Sequence, residues 1–314
     1  MVRLFTIGLL LLASGAQTAH GASISFFVSN ENAATYDQYS GSGQFLQSLV
    51  PAISFHIPYG TVADSSGHLY VSDVGASRIV EFSQTGAELA VLQTPVDNSG
   101  LSPEGLAFDP QGNLYVTSFN GNIIRFAGGS GTGTVIGSVP GARTGIVYNP
   151  ADGLLYVSTS TNGGDIFTLP ATGGAATLWA HAPGGAFPGS NLRDLALFGG
   201  DIYLADATWD GEGAIYRFHA GSSTPNLIVS GLCGADYVQL DSAGNLYVAE
   251  YCGDRISKFG ADGSPLGVVV SGLHGPGSFA LVETPDAPEP ATFSLAVSAL
   301  AACFLTLRNR GRQG

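Results

Sequence analysis

Apolar residues recur along the chain as a short run built around one tyrosine, with turn-forming residues on both sides. The runs are Leu69-Tyr70-Val71, Leu114-Tyr115-Val116, Leu155-Tyr156-Val157, Ile202-Tyr203-Leu204 and Leu246-Tyr247-Val248. Successive tyrosines stand 45, 41, 47 and 44 residues apart, and a period of that size is typical of the blades of a β-propeller. The repeat therefore predicts an all-β fold with one face where a ligand could bind.

Each unit carries further strand and turn signals in the same order. In the second unit, Asp109, Pro110 and Gly112 lie between two short apolar stretches. Asp-Pro favours turn initiation and glycine accepts the positive φ of a hairpin loop, so these residues predict a turn between two strands. A third stretch, residues 123–126, follows and then a weaker fourth. Four antiparallel strands per unit make one blade.

The repeat resembles the NHL-type six-bladed β-propellers, whose units read Pro-x-Gly, Asp-x-x-Gly-Asn, Leu-Tyr-Val-x-Asp and Arg-Ile-x-x-Phe in order. Residues 58–260 match as five units. Residues 26–46 align with the later strands of a unit, and residues 275–282 align with its first strand. The predicted fold is thus an all-β, six-bladed propeller with four-stranded antiparallel blades, in which N- and C-terminal strands together close the sixth blade.

The two ends of the chain carry sequences typical of export. Arg3, an apolar run over 4–13 and the small residues that follow predict a secretory signal peptide at 1–21. The propeller is predicted to span 22–284. Residues 285–314 are predicted to form a sorting tail, with a membrane segment at 291–307 that is short for a bilayer.

This tail resembles the PEP-CTERM sorting signal of Gram-negative bacteria. The residues that match are Pro288, Glu289 and Pro290 before the apolar segment and Arg308, Arg310 and Arg312 after it. The resemblance implies processing by a signal peptidase and an exosortase, transient anchoring in the inner membrane, and transfer to the cell surface or extracellular matrix. The alternative is a plain C-terminal membrane anchor.

Charge and cysteine content narrow the function further. The chain has 24 acidic and 11 basic residues and a net charge of −13, which disfavours nucleic acid as a partner. Export places the cysteines in an oxidising compartment. Cys233 precedes the first strand of the fifth unit and Cys252 follows its second strand, so both are predicted at one end of the blade and form a disulfide. A free thiol pair and a redox pair are the alternatives.

Candidate binding residues stand at the start of the first, innermost strand of each unit. At this position the side chains are expected to point into the central channel. They are Tyr59, Glu104, Thr144, Arg193, Asp236 and Pro276. Gluconolactonase-like and regucalcin-like propellers, which the chain resembles, bind a divalent metal at this place through Glu, Asn and Asp. Glu104 and Asp236 match the acidic ligands, but no Asn matches. Ca²⁺ or another divalent metal could bind with further oxygen ligands, although no cofactor is required and Arg193 is expected to pair with one carboxylate.

A second set of polar residues follows the tyrosine-containing runs, and these side chains are expected to accept backbone N–H bonds and cap turns. They are Asn30, Asp73, Ser118, Thr159, Asp206 and Glu250. Neither a Gly-x-Ser-x-Gly elbow nor a His-Glu-x-x-His motif occurs in the sequence.

The sequence therefore favours a noncatalytic protein of the cell surface or exopolysaccharide layer that binds a glycan, a peptide or another surface protein. A metal-dependent lactone hydrolase of the gluconolactonase type is the alternative. A purely structural component of the extracellular polymer is a third hypothesis.

Overall fold

The computed structural model describes residues 23–93, 102–160, 164–181, 192–208 and 212–284. Regular structure within these ranges consists of twenty-four β-strands and four 3-10 turns of three residues each. Residues 24–283 form one compact unit. Residues 1–22 and 285–314 lie outside the described residues.

The strands follow one another along the chain at the spacing that the repeat predicts. The first twelve are β1 (Ser23–Asn30), β2 (Thr35–Ser40), β3 (Phe45–Ser48), β4 (Pro58–Ala63), β5 (Leu69–Asp73), β6 (Arg78–Phe82), β7 (Glu88–Gln93), β8 (Pro103–Phe108), β9 (Leu114–Ser118), β10 (Asn122–Phe126), β11 (Thr134–Ser138) and β12 (Ala142–Asn149). The second twelve are β13 (Leu154–Thr159), β14 (Asp165–Pro170), β15 (Thr177–His181), β16 (Leu192–Phe198), β17 (Asp201–Asp206), β18 (Gly213–Phe218), β19 (Pro225–Leu232), β20 (Ala235–Leu240), β21 (Leu246–Glu250), β22 (Arg255–Phe259), β23 (Pro265–Ser271) and β24 (Pro276–Thr284). The four 3-10 turns are Glu31–Ala33, Val74–Ala76, Ala127–Gly129 and Tyr251–Gly253.

These strands form six four-stranded sheets, which are the six blades of the predicted propeller. Blades 1 to 5 consist of β4–β7, β8–β11, β12–β15, β16–β19 and β20–β23, and the first strand of each lies at one edge of its sheet. Blade 6 has the order β24-β1-β2-β3. The prediction that strands from both ends of the chain build the sixth blade is therefore confirmed.

Neighbouring blades pack against each other and enclose an apolar core between them. Leu69 and Val71 of blade 1 pack with Phe27 of blade 6. Tyr70, which lies between them in the strand, packs with Leu114 of blade 2. Successive strand residues point to opposite faces of a sheet, so one strand contributes to two inter-blade cores. This is why the repeated run is apolar at all three positions.

A hydroxyl group on the second strand of blade 1 joins its inner strand to the next blade. Ser72 Oγ accepts the Gly60 N–H at 2.8 Å and donates to the Glu104 carbonyl at 2.9 Å. Gly60 has to be glycine, because a Cβ atom at this position would lie 1.9 Å from the Glu104 carbonyl oxygen. We call this arrangement the hydroxyl bridge.

The hydroxyl bridge recurs around the ring. In blade 2, the Gly105 N–H donates to Thr117 Oγ1. In blade 3, the Gly145 N–H donates to Ser158 Oγ, and this hydroxyl donates to the Arg193 carbonyl. In blade 6, the Ser278 N–H donates to Ser29 Oγ, and this hydroxyl donates to the Tyr59 carbonyl. Blades 4 and 5 depart from the pattern. Ala205 and Ala249 replace the hydroxyl residue there, and Asp194 and Tyr237 replace the glycine.

Carboxylate side chains cap the start of the inner strand in blades 1 and 5, and blade 5 also carries a disulfide there. Asp73 Oδ1 accepts the N–H groups of His56 and Ile57 at 3.1 and 3.0 Å. Glu250 Oε2 accepts the Cys233 N–H at 3.0 Å, so the predicted capping role is confirmed for both carboxylates. Cys233 and Cys252 form the predicted disulfide, with their Cα atoms 5.4 Å apart.

The predicted signal peptide and the predicted tail, including the segment 291–307, lie outside the described residues. No helix within the described ranges is long and apolar enough to cross a membrane.

Removal of residues 275–283 should unfold the whole propeller in one cooperative transition. The deletion takes away most of β24, which leaves the inner edge of β1 without its partner and opens the core that contains fully buried Phe279. Circular dichroism and thermal melting would measure the loss. A chain that ends at residue 284 keeps β24 and is the control. A deletion variant that melts like this control would contradict the role of β24 in closing the ring.

Candidate functional site

The residues predicted at the channel mouth stand at the same position in successive inner strands. In blades 1, 2 and 3 this position comes directly before the glycine of the hydroxyl bridge, so it holds Tyr59, Glu104 and Thr144. Arg193 and Asp236 take it in blades 4 and 5. Thr144 belongs to β12, but its side chain lies outside the part that the structure describes.

The sixth position of this ring is Gly277, and the prediction of Pro276 was wrong by one residue. Ser278 donates its N–H to Ser29 Oγ at 3.1 Å, which makes Ser278 the equivalent of the bridge glycines in the other blades. Gly277 consequently stands where the other blades have Tyr59 or Glu104. Pro276 would take the ring position only if Gly277 were the bridge glycine, but Pro276, Gly277 and Ser278 correspond to Pro103, Glu104 and Gly105.

Glu31 fills the space that Gly277 leaves. A Cβ atom on Gly277 would lie 2.0 Å from Glu31 Oε1. Glu31 belongs to the 3-10 turn after β1, and its backbone N–H donates to the Gly275 carbonyl at 3.0 Å. Sequence reasoning missed Glu31, because it considered only residues on inner strands. The available signal was a glycine in the ring of blade 6 together with an acidic residue directly after β1.

Arg193 spans the mouth of the channel. Blade 4 lies opposite blade 1 in a ring of six, and Arg193 Nη1 donates to the Tyr59 hydroxyl at 2.8 Å. Arg193 Nε also lies 3.0 Å from Asp236 Oδ1, so the expected ion pair forms with Asp236. This contact is close enough for an ion pair but is not aligned as a hydrogen bond. We call the side chains of Arg193 and Tyr59 the Arg193–Tyr59 bar.

Burial sets the protonation of the carboxyl groups around the bar. It raises the pKa of Asp236 to about 6, although the Arg193 charge opposes the shift. It raises the pKa of Glu31 to about 8, with a further contribution from the charge of Asp236 and opposition from Arg193. At neutral pH, Glu31 therefore keeps its proton, whereas Asp236 is mostly ionised and faces a permanent cation. The mouth is a network of polar groups with little room for another positive ion.

The geometry does not match the metal site that the resemblance implied. Within the described residues, no group of three or more His, Cys, Asp or Glu side chains is arranged to hold a metal ion. Arg193 forms an ion pair with Asp236 through Oδ1, so a metal ion at Asp236 would face a guanidinium 3.0 Å from that oxygen. Glu104 and Asp236 do belong to one ring, and Glu104 lies near enough to Glu31 and Tyr59 to affect them electrostatically. Glu104 and Asp236 nevertheless do not form a preformed metal-binding site.

These features define the class of protein as a six-bladed β-propeller with a polar, ion-paired channel mouth. The strictosidine synthase-like, N-terminal family matches residues 87–126, a part of blades 1 and 2 that is less than half of the chain. No curated protein matches the sequence.

Two solved structures share the fold. The streptogramin B lyase structure superposes with a TM-score of 0.54 at 17% identity and covers 77% of this chain and 72% of its own. A protein of unknown function from Bacteroides caccae gives a TM-score of 0.64 at 11% identity, with 83% and 99% covered. At these identities the likeness shows the fold alone.

The Glu31→Gln variant should be more stable than the unsubstituted protein at pH 9. Because the pKa of Glu31 is about 8 in the folded chain and near 4.5 in an ordinary setting, folding takes up a proton between these values, and stability falls as pH rises through this window. Glutamine cannot ionise, so the variant should lose that part of the fall, on the order of a few kcal/mol. Urea unfolding at several pH values from 4 to 9 would measure it.

Glu212→Gln, at an exposed position, is the control and should keep the pH slope of the unsubstituted protein. Equal slopes for Glu31→Gln and the unsubstituted protein would show that Glu31 is not held protonated at the mouth.

Proposed function

We propose that this protein is an exported β-propeller that binds a ligand without catalysis at the channel mouth and acts at the cell surface or in the exopolysaccharide layer. The ligand is a glycan, a peptide or another surface protein. The repeat that resembles the NHL type supports the scaffold, and the tail that resembles the PEP-CTERM signal supports the location.

The observation that carries the proposal is the pairing of Arg193 with Tyr59 and Asp236 across the mouth. An enzyme of the gluconolactonase type would need Asp236 as a metal ligand. Here the buried carboxylate is already neutralised by a guanidinium, and removing one member of such a buried pair costs roughly 3–5 kcal/mol. A stable, preformed polar surface is better suited to recognition than to holding a reactive ion.

The mouth offers a ligand several hydrogen-bonding groups in a fixed arrangement. Arg193 and Tyr59 remain partly exposed, with a fifth of the Arg193 side chain open to solvent. Glu104 supplies an acidic group in the same ring, and protonated Glu31 can donate as well as accept. Hydroxyl and amide groups of a sugar or peptide can bind to such a set, and rigid inner strands hold it in place.

Tyr59→Phe should weaken ligand binding at least about tenfold, because it removes the hydroxyl that fixes the far end of Arg193. Glu104→Gln should also weaken binding, through the loss of a carboxyl group in the ring. Arrays of glycans and exopolysaccharide fractions would identify the probe, and surface plasmon resonance with the bound fraction would give the affinities.

Tyr156→Phe is the matched control. It removes a similar hydrogen bond, from Tyr156 to Asp152 at 2.7 Å, at the opposite end of blade 3, so it should leave the affinity unchanged. Equal losses for Tyr59→Phe and Tyr156→Phe would contradict binding at the mouth, and an absence of binding to every fraction would count against a glycan ligand.

The alternative function is metal-dependent lactone hydrolysis, which rests on Glu104 and Asp236 in the ring. This function requires that Asp236 leave Arg193. Elemental analysis of the purified mature protein distinguishes the two functions. Stoichiometric divalent metal, with lactone turnover that Glu104→Gln or Asp236→Asn abolishes, would establish the enzyme and exclude the binding protein.

The mature protein should end near residue 290. Cleavage by an exosortase near Pro288, Glu289 and Pro290 would remove the apolar segment and the arginines after it. Intact-mass measurement of protein from the cell surface would give the end point, and Glu289→Ala should leave the tail attached. A surface protein that retains Arg312 would instead be held by a plain membrane anchor.

A further inference from the structure

Beyond the channel mouth, the propeller contains a cavity that the proposed function does not use. Its volume is about 310 Å³, and parts of five inner strands line it: β4, β8, β12, β16 and β20. In each strand the lining residues come after the ring residue of the mouth, so the cavity lies farther along the channel, past the Arg193–Tyr59 bar. It has room for roughly ten water molecules, which is comparable to one hexose.

Two of the polar lining residues stand where the repeat is broken. Asp194 and Tyr237 occupy the bridge position that is glycine in blades 1, 2 and 3. The partner hydroxyl is lost at the same time, because Ala205 and Ala249 take its place. Blades 4 and 5 therefore give up the hydroxyl bridge and gain larger polar side chains along the cavity. Departures from a local rule are expected at functional positions.

Both side chains are fixed in place by neighbouring blades. Asp194, which is 7% exposed, accepts the Val238 N–H on Oδ2 at 3.1 Å. Tyr237 packs against Phe279 of blade 6, with ring centroids 5.6 Å apart, and donates its hydroxyl to the Thr61 carbonyl of blade 1 at 2.8 Å. Tyr237 thus reaches past the inner strand of blade 6, which is consistent with the absence of blade 6 from the cavity lining.

The groups along the cavity suit an uncharged, hydroxyl-rich molecule. Asp194 is the only carboxyl group among the lining residues, and none of these residues is Lys, Arg or His. Each inner strand ends its sheet, so its channel-facing backbone N–H and C=O groups have no strand partner. Small and aliphatic side chains such as Ala63, Ala107 and Ala196 line the rest. Burial also raises the pKa of Asp194 well above its usual range, which favours the neutral acid.

We propose that this cavity binds one uncharged polyhydroxylated molecule of about the size of a hexose, with Asp194 and the channel-facing backbone groups as its hydrogen-bond partners. The site is separate from the mouth and does not depend on the proposed function. Its charge selectivity follows from its lining, which offers an anion no basic side chain and offers a cation a single carboxyl group that already accepts the Val238 N–H.

The test is titration of the folded propeller with D-glucose by isothermal calorimetry. We expect saturable binding with a Kd of about 1 mM, which is usual for a ligand with so few atoms. Ala196→Leu enlarges a residue that lines the cavity and should weaken binding at least about tenfold. Ala90→Leu makes the same change on the outer strand β7 and should leave the Kd unchanged. Thermal melting would establish that both variants are folded, and Ala63→Leu on the opposite wall replaces Ala196→Leu if the latter unfolds.

Two further ligands test the charge selectivity, with glucosamine as the cation and glucuronate as the anion. Both should bind at least about fivefold more weakly than glucose. Tighter binding of glucosamine would mean that Asp194 is ionised and would overturn the assignment of a neutral ligand. Equal glucose affinity in the cavity-filling and Ala90→Leu variants would refute the site. Loss of binding in Tyr59→Phe alone would also refute it, because binding would then occur at the mouth. The absence of saturable heat at a glucose concentration about fifty times the expected Kd would refute it as well.

Discussion

The hydroxyl bridge between blades is the contact on which the central part of this propeller depends. It satisfies an N–H group of one inner strand and a carbonyl of the next, so two buried backbone groups that have no strand partner are paired at once. Its geometry requires close approach of the strands, and this is why Gly60 cannot carry a side chain. The side chains directly before the bridge are consequently held in one ring. Both the mouth and the cavity beyond it take their shape from this spacing.

The ring order then decides the chemistry of the mouth. Because blade 4 faces blade 1, a long side chain on one can reach a hydroxyl on the other, and Arg193 does so with Tyr59. A shorter residue at either position would leave the channel open. The guanidinium also keeps Asp236 largely ionised in a setting where burial alone would favour the neutral acid. The same residue therefore spans the channel mouth, balances the charge of Asp236 and leaves a fifth of its side chain open to solvent.

Sequence reasoning predicted the fold well because its evidence was periodic. The tyrosine runs fixed five units, and residues at both chain ends that resembled parts of a unit led to the sixth. It also predicted that Arg193 pairs with Glu104 or Asp236, because residues at this position of the inner strands share one ring, and the pair forms with Asp236. It failed where the chain leaves the repeat. Gly277 was missed because Ser278 takes the bridge position in blade 6, so that Gly277 was mistaken for the bridge glycine. Glu31 was missed because it reaches the ring from a turn.

The cavity could not have been predicted, since it depends on volumes that only the packed side chains define. The signal for it was nevertheless present in the sequence. Ala205 and Ala249 stand where other units have Ser or Thr, and Asp194 and Tyr237 stand where most have glycine. Each change alone reads as ordinary variation. Their meaning emerges only when the structure shows that the two positions are bonded to each other in the remaining blades.

The pairing of β24 with β1 has a consequence for the order of events in a cell. Ser29 and Ser278 are hydrogen-bonded although 249 residues separate them. A chain that is synthesised from its N-terminus presents β1 first, and this strand stays unpaired until nearly all of the remaining chain has been made. The apolar face of β1 is therefore the part of the molecule with the longest exposure to wrong partners. The synthesis of β24, at the far end of the propeller sequence, ends that exposure.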